Sequence, residues 1–335
     1  MAERNINDVL QRLYGLEQLT KEEAKSLLGS VGRGEVDPFQ IAALLTCFQM
    51  RQITGPELSG FREAMIELAR FVDFSDFDTI DLCGTGGDGK DTFNISTAAS
   101  IVVAGAGYKV AKHGNYGVSS GCGSSNVLEA LGYKMTNDYD ALRRHLEESN
   151  FCYMHAPLFH PAMKEVGPVR KGMRTKTFFN MLGPLLNPSR PARQITGVFS
   201  KELVPLYQAV FEDMGSEYAV IHAEDGYDEI SLTGAFNIIT HTSSDLLQPS
   251  DVSLHQVKAE ELHGGQTVEE AVQIFRSVIS GAGTDAQTNV VCANAGCAIQ
   301  RFKPEVALID CIAEAREALK SGEAQNKLEV LLGLQ

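Results

Sequence analysis

Long apolar runs are missing from this sequence. No window reaches the roughly 18 consecutive apolar residues that a membrane helix needs. Residues 1–15, MAERNINDVLQRLYG, carry charges where a signal peptide would have its apolar region. We therefore expect a cytoplasmic protein that has no membrane partner.

Cysteine is sparse, and its spacing follows no known framework. The seven cysteines are odd in number and scattered along 335 residues, which favours reduced thiols over disulfides. Cys292 and Cys297 lack both the CxxC spacing and the second ligand pair of a zinc site. We interpret both as packing residues of the core.

Positive charge is also scarce, because 29 Lys and Arg residues face 43 Asp and Glu residues and leave a formal net charge of −14. Such a surface repels polyanions, so nucleic acid is not an expected partner. A local basic pocket for a small phosphorylated substrate is still compatible with this charge. The chain is otherwise ordinary, with 44% hydrophobic residues, and is long enough for one large domain and one smaller domain.

Helical signals fill residues 1 to about 72. Thr20 and Glu23 have capping-box spacing, Asp37 precedes a proline, and Thr54 opens a further helix. Apolar residues recur at helical period between 41 and 48 and between 58 and 68. These patterns predict a small helical domain at 1–72, which we expect part of 165–190 to join.

Short apolar runs alternate with helical periods from Asp78 onward. Strands separated by helices need crossover connections, so we predict an α/β fold with a mainly parallel central sheet in a larger domain, 73–335. Ligands of such sheets bind at the carboxyl ends of the strands. The predicted strands are 78–84, 108–114, 151–157, 193–199 and 218–224, and the predicted helices are 95–106, 124–132, 138–149, 201–214, 267–280 and 304–321.

Two glycine-rich loops follow the first two predicted strands. GTGGDG at 84–89 leads to NIST at 94–97 and a helix, and KHGNYGVSSGCGSSN at 112–126 also leads into a helix. Glycine lets backbone N–H groups approach an anion, and a helix N-terminus adds positive potential. The first loop has neither P-loop nor dinucleotide-binding spacing. We predict two phosphate sites, with Lys112 as a ligand. A simple turn and N-cap is the alternative for the first loop, and a solvated side chain is the alternative for Lys112.

Two further segments carry candidate ligands. Cations concentrate among prolines and aromatic residues, a setting that suits a flat ring whose carboxylate binds one arginine, whereas we interpret Lys171 and Arg174 as surface charges. Asp228 and Glu229 lie in a turn that we expect to enter a strand, where both could reach Mg²⁺ together with substrate phosphates; a solvated acidic turn is the alternative. The cations are Lys164, Arg170, Lys171, Arg174 and Lys176.

Taken together, these segments resemble the anthranilate phosphoribosyltransferase family over nearly the whole chain. The resemblance implies a homodimer with its active site at the hinge between a helical domain and an α/β domain. It also implies transfer of the 5-phosphoribosyl group of phosphoribosyl pyrophosphate (PRPP) to the amine of anthranilate in L-tryptophan biosynthesis. The matching motifs are GTGGDG, NIST, KHGN at 112–115, SS at 119–120, GSS at 123–125, HPAM at 160–163, PVR at 168–170, FFNMLGPLLNP at 178–188 and DGYDEISLTG at 225–234.

The resemblance also implies which residues bind. For PRPP they are Gly84, Gly87, Asp88, Thr92, Asn94, Ser96, Thr97, Lys112, Asn115, Ser119, Ser120 and Ser124. For anthranilate they are Gly84, Asn115, His160 and Arg170, and for Mg²⁺ they are Ser96, Asp228 and Glu229. No general base is assigned, because the aniline nitrogen of anthranilate is already neutral at pH 7; His113 is the alternative.

Three positions depart from the family pattern, and two other functions are compatible with parts of the sequence. Tyr116 replaces the Arg of KHGNR, Asn126 replaces a frequent Asp, and Lys176 replaces the Arg of RTxFN, which affects substrate preference more than the reaction. A pyrimidine nucleoside phosphorylase is disfavoured by PVR, FFNMLGPL and the acidic pair. A non-catalytic, nucleic-acid-binding relative is disfavoured by the intact motifs and the net charge.

Overall fold

The computed structural model describes residues 6–117 and 121–335. Its N-terminal part is helical, as predicted, and the three predicted helix starts are confirmed. Thr20, Asp37 and Thr54 each accept a backbone N–H of the first turn on their side chain, which satisfies donors that a helix leaves open. The four helices are α1 (Ile6–Tyr14), α2 (Lys21–Gly32), α3 (Pro38–Met50) and α4 (Gly55–Glu67).

A seven-stranded sheet follows, in the order β3-β2-β1-β4-β5-β6-β7. The first five strands pair in parallel, which confirms the predicted fold class, and the last two are antiparallel. The sequence did not reveal β6 and β7, because each has only four residues and β7 is largely exposed. The strands are β1 (Thr79–Gly84), β2 (Lys109–Gly114), β3 (Phe151–His155), β4 (Arg193–Gly197), β5 (Glu217–Ala223), β6 (Phe236–Ile239) and β7 (Ser244–Leu247).

Helices cover both faces of the sheet. All six predicted helices of this part are present within a few residues, whereas α8, α9, α10, α13 and α15 were not predicted. Helix α13 is buried on nearly every side, so its sequence has no polar face to mark a helical period. The helices are α5 (Ile95–Gly105), α6 (Ser124–Ala130), α7 (Tyr139–Ser149), α8 (Ala156–Phe159), α9 (Met163–Met173), α10 (Phe179–Leu182), α11 (Val204–Met214), α12 (Val268–Ile279), α13 (Asp285–Gln300), α14 (Leu308–Lys320) and α15 (Glu323–Gly333).

Two large apolar cores flank the sheet. One surrounds α5 and includes α13 to α15. The other joins α1 to α4 with α10 and α11, with Val220 of β5 and with Val198 just after β4. Because the second core is continuous from the N-terminal helices to the sheet, the division at 72/73 stays a prediction. In the described part of the chain, no helix has the length and apolarity needed to cross a membrane.

Candidate active site

The first glycine-rich loop leaves the carboxyl end of β1 in a backbone conformation that favours glycine. Gly86, Gly87 and Gly89 have φ angles of 65°, 79° and 71°, a region that costs L-residues with a Cβ atom free energy. An added Cβ at Gly86 or Gly89 would meet nothing within 4 Å. The loop therefore needs glycine for its conformation, and it leaves open space in front of its backbone.

The loop leads to the N-terminus of α5, where the first backbone N–H groups have no partners within the helix. Asn94 precedes α5 but makes no side-chain cap hydrogen bond. Its Nδ2 atom instead donates to the carbonyl of Cys122, at 2.9 Å, in the second glycine-rich loop. The two loops predicted to bind phosphate are thus tied to each other by one side chain.

Asn126 organises the second loop. Its Oδ1 atom accepts the N–H groups of Gly117 and Gly123, at 3.0 and 2.9 Å. This role requires only an accepting side-chain oxygen, which both Asn and Asp have. Asn126 can therefore replace the Asp that is frequent in the family. Ser124 lies at the start of α6, with its hydroxyl 2.8 Å from that of Tyr153. Two predicted ligands, Ser119 and Ser120, lie outside the described residues.

The acidic pair lies against the first loop. One oxygen of Asp228 accepts the N–H of Gly86 at 2.6 Å, and one oxygen of Glu229 accepts the N–H of Ser96 at 3.1 Å. The hydroxyl of Thr92 lies 3.5 Å from the second oxygen of Glu229. The expectation that this pair starts a strand is wrong, because β6 begins only at Phe236. The structure therefore brings the three predicted Mg²⁺ ligands together, Ser96 from the first turn of α5 and Asp228 and Glu229 from the loop after β5.

Burial and mutual repulsion shape the chemistry of these carboxylates. Burial, with the nearby charge of Asp88, raises the pKa of Asp228 to about 7. Burial also raises the pKa of Glu229 well above its ordinary value, and Asp228 and Asp88 add to this shift. The Oδ2 atom of Asp88 is buried without a hydrogen-bond partner among the described residues. The raised pKa values of Asp228 and Glu229 show that neighbouring positive charges do not compensate the negative charge of these carboxylates.

A divalent cation fits this centre. Across residues 6–117 and 121–335, no three His, Cys, Asp or Glu side chains form a group that could hold a metal ion alone. Mg²⁺ rarely needs such a group, since it is usually bound by one or two carboxylates, water and substrate phosphates. One buried and one half-buried carboxylate beside a glycine-rich loop match that pattern.

Lys112 departs from its predicted surroundings. Its side chain is buried and its ammonium donates to the carbonyl of Leu82, inside the sheet. Burial lowers its pKa, although the charges of Asp81, Cys83 and Glu229 oppose the shift. In this conformation the ammonium is bound to the carbonyl of Leu82, and a direct phosphate contact would require it to leave that carbonyl.

Two histidines lie beside each other at the carboxyl end of β2 and just after α8. The rings of His113 and His160 are buried and meet edge to face, 5.1 Å apart. Burial lowers the pKa of His160 to about 4 and that of His113 well below its ordinary value, so both are neutral at pH 7. Neutral imidazoles suit an apolar ring. Asn115, predicted to contact the same ring, follows His113 by two residues and is exposed.

Arg170 lies on α9 and is oriented by its neighbours. Its Nη2 atom donates to Oδ1 of Asn180 at 3.3 Å, and its guanidinium lies 5.3 Å from the centre of the Phe179 ring. Burial lowers its pKa. Sequence reasoning assigned no role to Asn180, although it lies within the FFNMLGPL motif and thus could have been found.

Lys176 connects the first glycine-rich loop with the N-terminal helices. Its Nζ atom donates to the carbonyl of Gly87 at 2.9 Å. Its own carbonyl accepts a hydrogen bond of 2.7 Å from Gln49 on α3. The cation at this departing position thus contacts the loop backbone, and Gln49, which the sequence did not single out, anchors it to the N-terminal helices.

Comparisons with known proteins agree with this geometry. Residues 7–69 match the glycosyl transferase family, helical bundle domain, and residues 76–325 match the glycosyl transferase family, a/b domain. The anthranilate phosphoribosyltransferase of Cytophaga hutchinsonii is 54% identical over 95% of this chain and 97% of its own. That of Flavobacterium johnsoniae is 51% identical over 96% and 98%.

Solved structures give the same result. The anthranilate phosphoribosyltransferase of Thermus thermophilus matches with a TM-score of 0.92 and 35% identity, over 98% of this chain and 99% of that chain. The Saccharomyces cerevisiae enzyme in complex with PRPP and Mg matches with a TM-score of 0.91 and 25% identity, over 99% and 98%. The chain therefore belongs to the anthranilate phosphoribosyltransferase family, enzymes of tryptophan biosynthesis that transfer the phosphoribosyl group of PRPP to anthranilate.

Proposed function

We propose that this enzyme binds the pyrophosphate of PRPP between the first glycine-rich loop and the N-terminus of α5. The observation that carries the proposal is that N–H groups of Gly86 and Ser96 already bind carboxylate oxygens there. Donors that hold one anionic oxygen can hold another. The Saccharomyces cerevisiae relative in complex with PRPP and Mg supports PRPP and Mg²⁺ as the molecules bound by this enzyme.

The full set of proposed PRPP ligands follows the family resemblance. We assign Mg²⁺ to Ser96, Asp228 and Glu229. The PRPP ligands are Gly84, Gly87, Asp88, Thr92, Asn94, Ser96, Thr97, Lys112, Asn115, Ser119, Ser120 and Ser124.

The mechanism is electrostatic and positional. Loss of pyrophosphate builds positive charge on the ribose and negative charge on the leaving group. Backbone N–H groups of the loop and of α5 are fixed in place before the reaction, so they stabilise that negative charge without reorganising. Bound Mg²⁺ supplies Lewis-acid stabilisation of the same charge. His113 and His160 are neutral, and anthranilate needs no base before attack, so the pocket mainly holds the ring in line with the ribose.

The overall reaction has a direct test against the nearest alternative. Loss of anthranilate fluorescence with PRPP and Mg²⁺ measures the transfer. Cleavage of thymidine by phosphate measures the phosphorylase reaction. We expect the first activity and not the second.

Anthranilate is proposed to bind Gly84, Asn115, His160 and Arg170, with its carboxylate on Arg170. We expect Arg170→Ala to raise the Michaelis constant for anthranilate by roughly 10- to 150-fold, because a charge-assisted hydrogen bond contributes about 1.5–3 kcal/mol. The constant for PRPP should change much less. Arg170→Lys should recover part of the loss, since an ammonium lacks the planar two-pronged geometry. Steady-state kinetics measure both constants.

The control is Lys171→Ala, which removes a neighbouring exposed cation on the same helix. Its kinetics should match those of the wild type. Thermal melts separate binding from a structural role of Arg170, because loss of structurally important contacts with Asn180 and Phe179 would lower the midpoint. A mutant that lost PRPP affinity and kept anthranilate affinity would contradict this division of the pocket.

We further propose that the enzyme is a cytoplasmic homodimer and that α1 and α3 form its interface. Phe39 and Met50 on α3 are 85% and 75% exposed, and Leu16 just after α1 is 59% exposed. The two helices run side by side, since Gln40 bonds Asn7 near their starts and Arg51 bonds Glu17 near their ends. Clustered exposed apolar side chains are typical of interaction surfaces.

Phe39→Glu is expected to weaken dimerisation at least tenfold, because it places a charge in a contact that would otherwise exclude water. Sedimentation equilibrium measures the dissociation constant. Leu246→Glu is the matched control, since Leu246 is 60% exposed on β7. Equal dimer stability in the wild type and the Phe39 variant would contradict the proposed interface.

A further inference from the structure

The acidic turn is held by something other than regular secondary structure. Strand β5 ends at Ala223 and β6 begins at Phe236, with only turns and bends between them. Asp228 and Ile230 are nevertheless 8% and 0% exposed. Buried backbone needs hydrogen-bond partners, and two carboxylates need a fixed direction to share one ion.

Asn294 on α13 supplies the partners. Its Oδ1 atom accepts the N–H of Ile230 at 3.0 Å, and its Nδ2 atom donates to the carbonyl of the same residue at 2.9 Å. A second bond from Nδ2, 2.9 Å to the carbonyl of Val290, fixes the amide to its own helix. One side chain thus satisfies both backbone groups of the residue that follows Glu229.

Gly197 holds the other side of the turn. It ends β4 and pairs in register with Gly84 at the end of β1. A Cβ at Gly197 would overlap the backbone carbonyl of Asp228, and a Cβ at Gly84 would overlap its carboxylate. Two adjacent glycines therefore form a slot into which Asp228 fits.

The hydrogen bonds of Asn294 and the glycine slot act on the turn that carries Asp228 and Glu229. Cys83, Ser96, Gly197 and Asn294, together with Asp228 and Glu229, line one small cavity. Neither Gly197 nor Asn294 places a charged group there. Their contacts are to the backbone of the acidic turn at Asp228 and Ile230.

We propose that Asn294 and Gly197 are positioning residues that hold Asp228 and Glu229 in the direction required to bind the divalent cation. This inference rests on the proposed metal role of the acidic pair. Asn294 restrains the turn after Glu229, and Gly197 admits the backbone of Asp228. Groups that orient metal ligands typically change metal affinity 10- to 100-fold when they are removed.

The test uses Mn²⁺ as a paramagnetic probe and inorganic pyrophosphate as a co-ligand, with the full-length protein. Asn294→Ala and Gly197→Ala should each weaken Mn²⁺ binding roughly 10- to 100-fold in electron paramagnetic resonance titrations. In Asn294→Ala, the Ile230 amide should also exchange its hydrogen faster. Raising Mg²⁺ should restore turnover in both variants, because the carboxylates are still present.

Two controls match these variants. Asn289→Ala removes an asparagine from the same helix whose Oδ1 accepts a 2.7 Å hydrogen bond from Arg316. Gly333→Ala adds a Cβ that meets nothing within 4 Å. Both should bind Mn²⁺ as the wild type does. Since the two test variants lie on different elements, misfolding of one leaves the other as a test.

Asp228→Asn with Glu229→Gln separates this inference from the metal assignment on which it rests. Unchanged Mn²⁺ affinity in that double variant would overturn the metal site itself. Weakened affinity there, with unchanged affinity in Asn294→Ala and Gly197→Ala, would overturn only the positioning role. A lower melting temperature with unchanged Mn²⁺ affinity would show that both residues merely stabilise the fold.

Discussion

Asp228→Asn combined with Glu229→Gln is expected to reduce turnover by about 100-fold or more and to raise the Mg²⁺ concentration required for activity. Metal stabilisation of a transition state contributes several kcal/mol, and each 1.4 kcal/mol is a factor of ten. Amides keep the size of the carboxylates but bind Mg²⁺ poorly. Turnover measured against Mg²⁺ concentration tests this, and an unchanged Mg²⁺ dependence would refute the metal assignment.

The same double variant should bind pyrophosphate more tightly than the wild type when no metal is present. In the structure, the two carboxylates hold the N–H groups of Gly86 and Ser96, so an incoming phosphate must displace them. Amides remove both the charge repulsion and the charged competitor. Calorimetry with pyrophosphate in a chelator should show this gain, together with loss of the Mg²⁺ effect. Equal metal-free affinities would contradict the competition.

Stability provides an independent check that the variant folds. A carboxyl whose pKa is raised on folding stabilises the protein below its unfolded pKa and loses that contribution as pH rises through the folded pKa. For Asp228 this window runs from about 4 to about 7. The wild type without metal should therefore lose stability over this range, and the amide variant should lose less. Thermal melts at several pH values measure the difference.

Gly86→Val is expected to abolish PRPP binding, with a loss of affinity of about 100-fold or more. The backbone of Gly86 has φ of 65°, which costs a residue with a Cβ about 1–2 kcal/mol and a β-branched residue more. The side chain would also fill the open space in front of the loop, where nothing lies within 4 Å of an added Cβ. Strain in the loop backbone and loss of the space in front of it should therefore both weaken PRPP binding. Calorimetry with PRPP measures the result.

Gly215→Val is the matched control for this experiment. Gly215 ends α11 with φ of 64° and also has open space around an added Cβ. Valine there costs a similar backbone strain, but we assign no ligand to that position. The control should lower the melting temperature and keep PRPP affinity. Normal PRPP affinity in Gly86→Val would show that the loop is only a turn.

Much of the fold was predictable because its signals are local. Capping residues at Thr20, Asp37 and Thr54 mark helix starts, since an N-cap acts within three residues. The five parallel strands were evident as apolar runs bounded by turns. Helix α13 was not, because burial on all sides removes the contrast between faces. The short edge strands β6 and β7 depend on pairing across the sheet, which no local pattern encodes.

The candidate site was also predictable from the sequence only in part. The motifs named Asp228, Glu229, Ser96 and the glycine-rich loop, and these residues meet as expected. The hydrogen bond from Lys112 to the carbonyl of Leu82 could not be predicted from the sequence, because it depends on packing between β1 and β2. The same holds for Asn294, which contacts Ile230 from 64 positions along the chain.

The amino-acid sequence by itself determined the family, the α/β class and the residue types that we propose to bind the phosphates, because glycine conformations, helix caps and alternating elements are properties of short segments. Only the tertiary structure decided that the acidic pair occupies the N–H groups of the proposed phosphate site, and that a side-chain amide and two glycines contact the turn that carries the pair. Those contacts join β1, β4, α5 and α13 with the loop after β5. Their geometry exists only once long-range packing has brought these elements together.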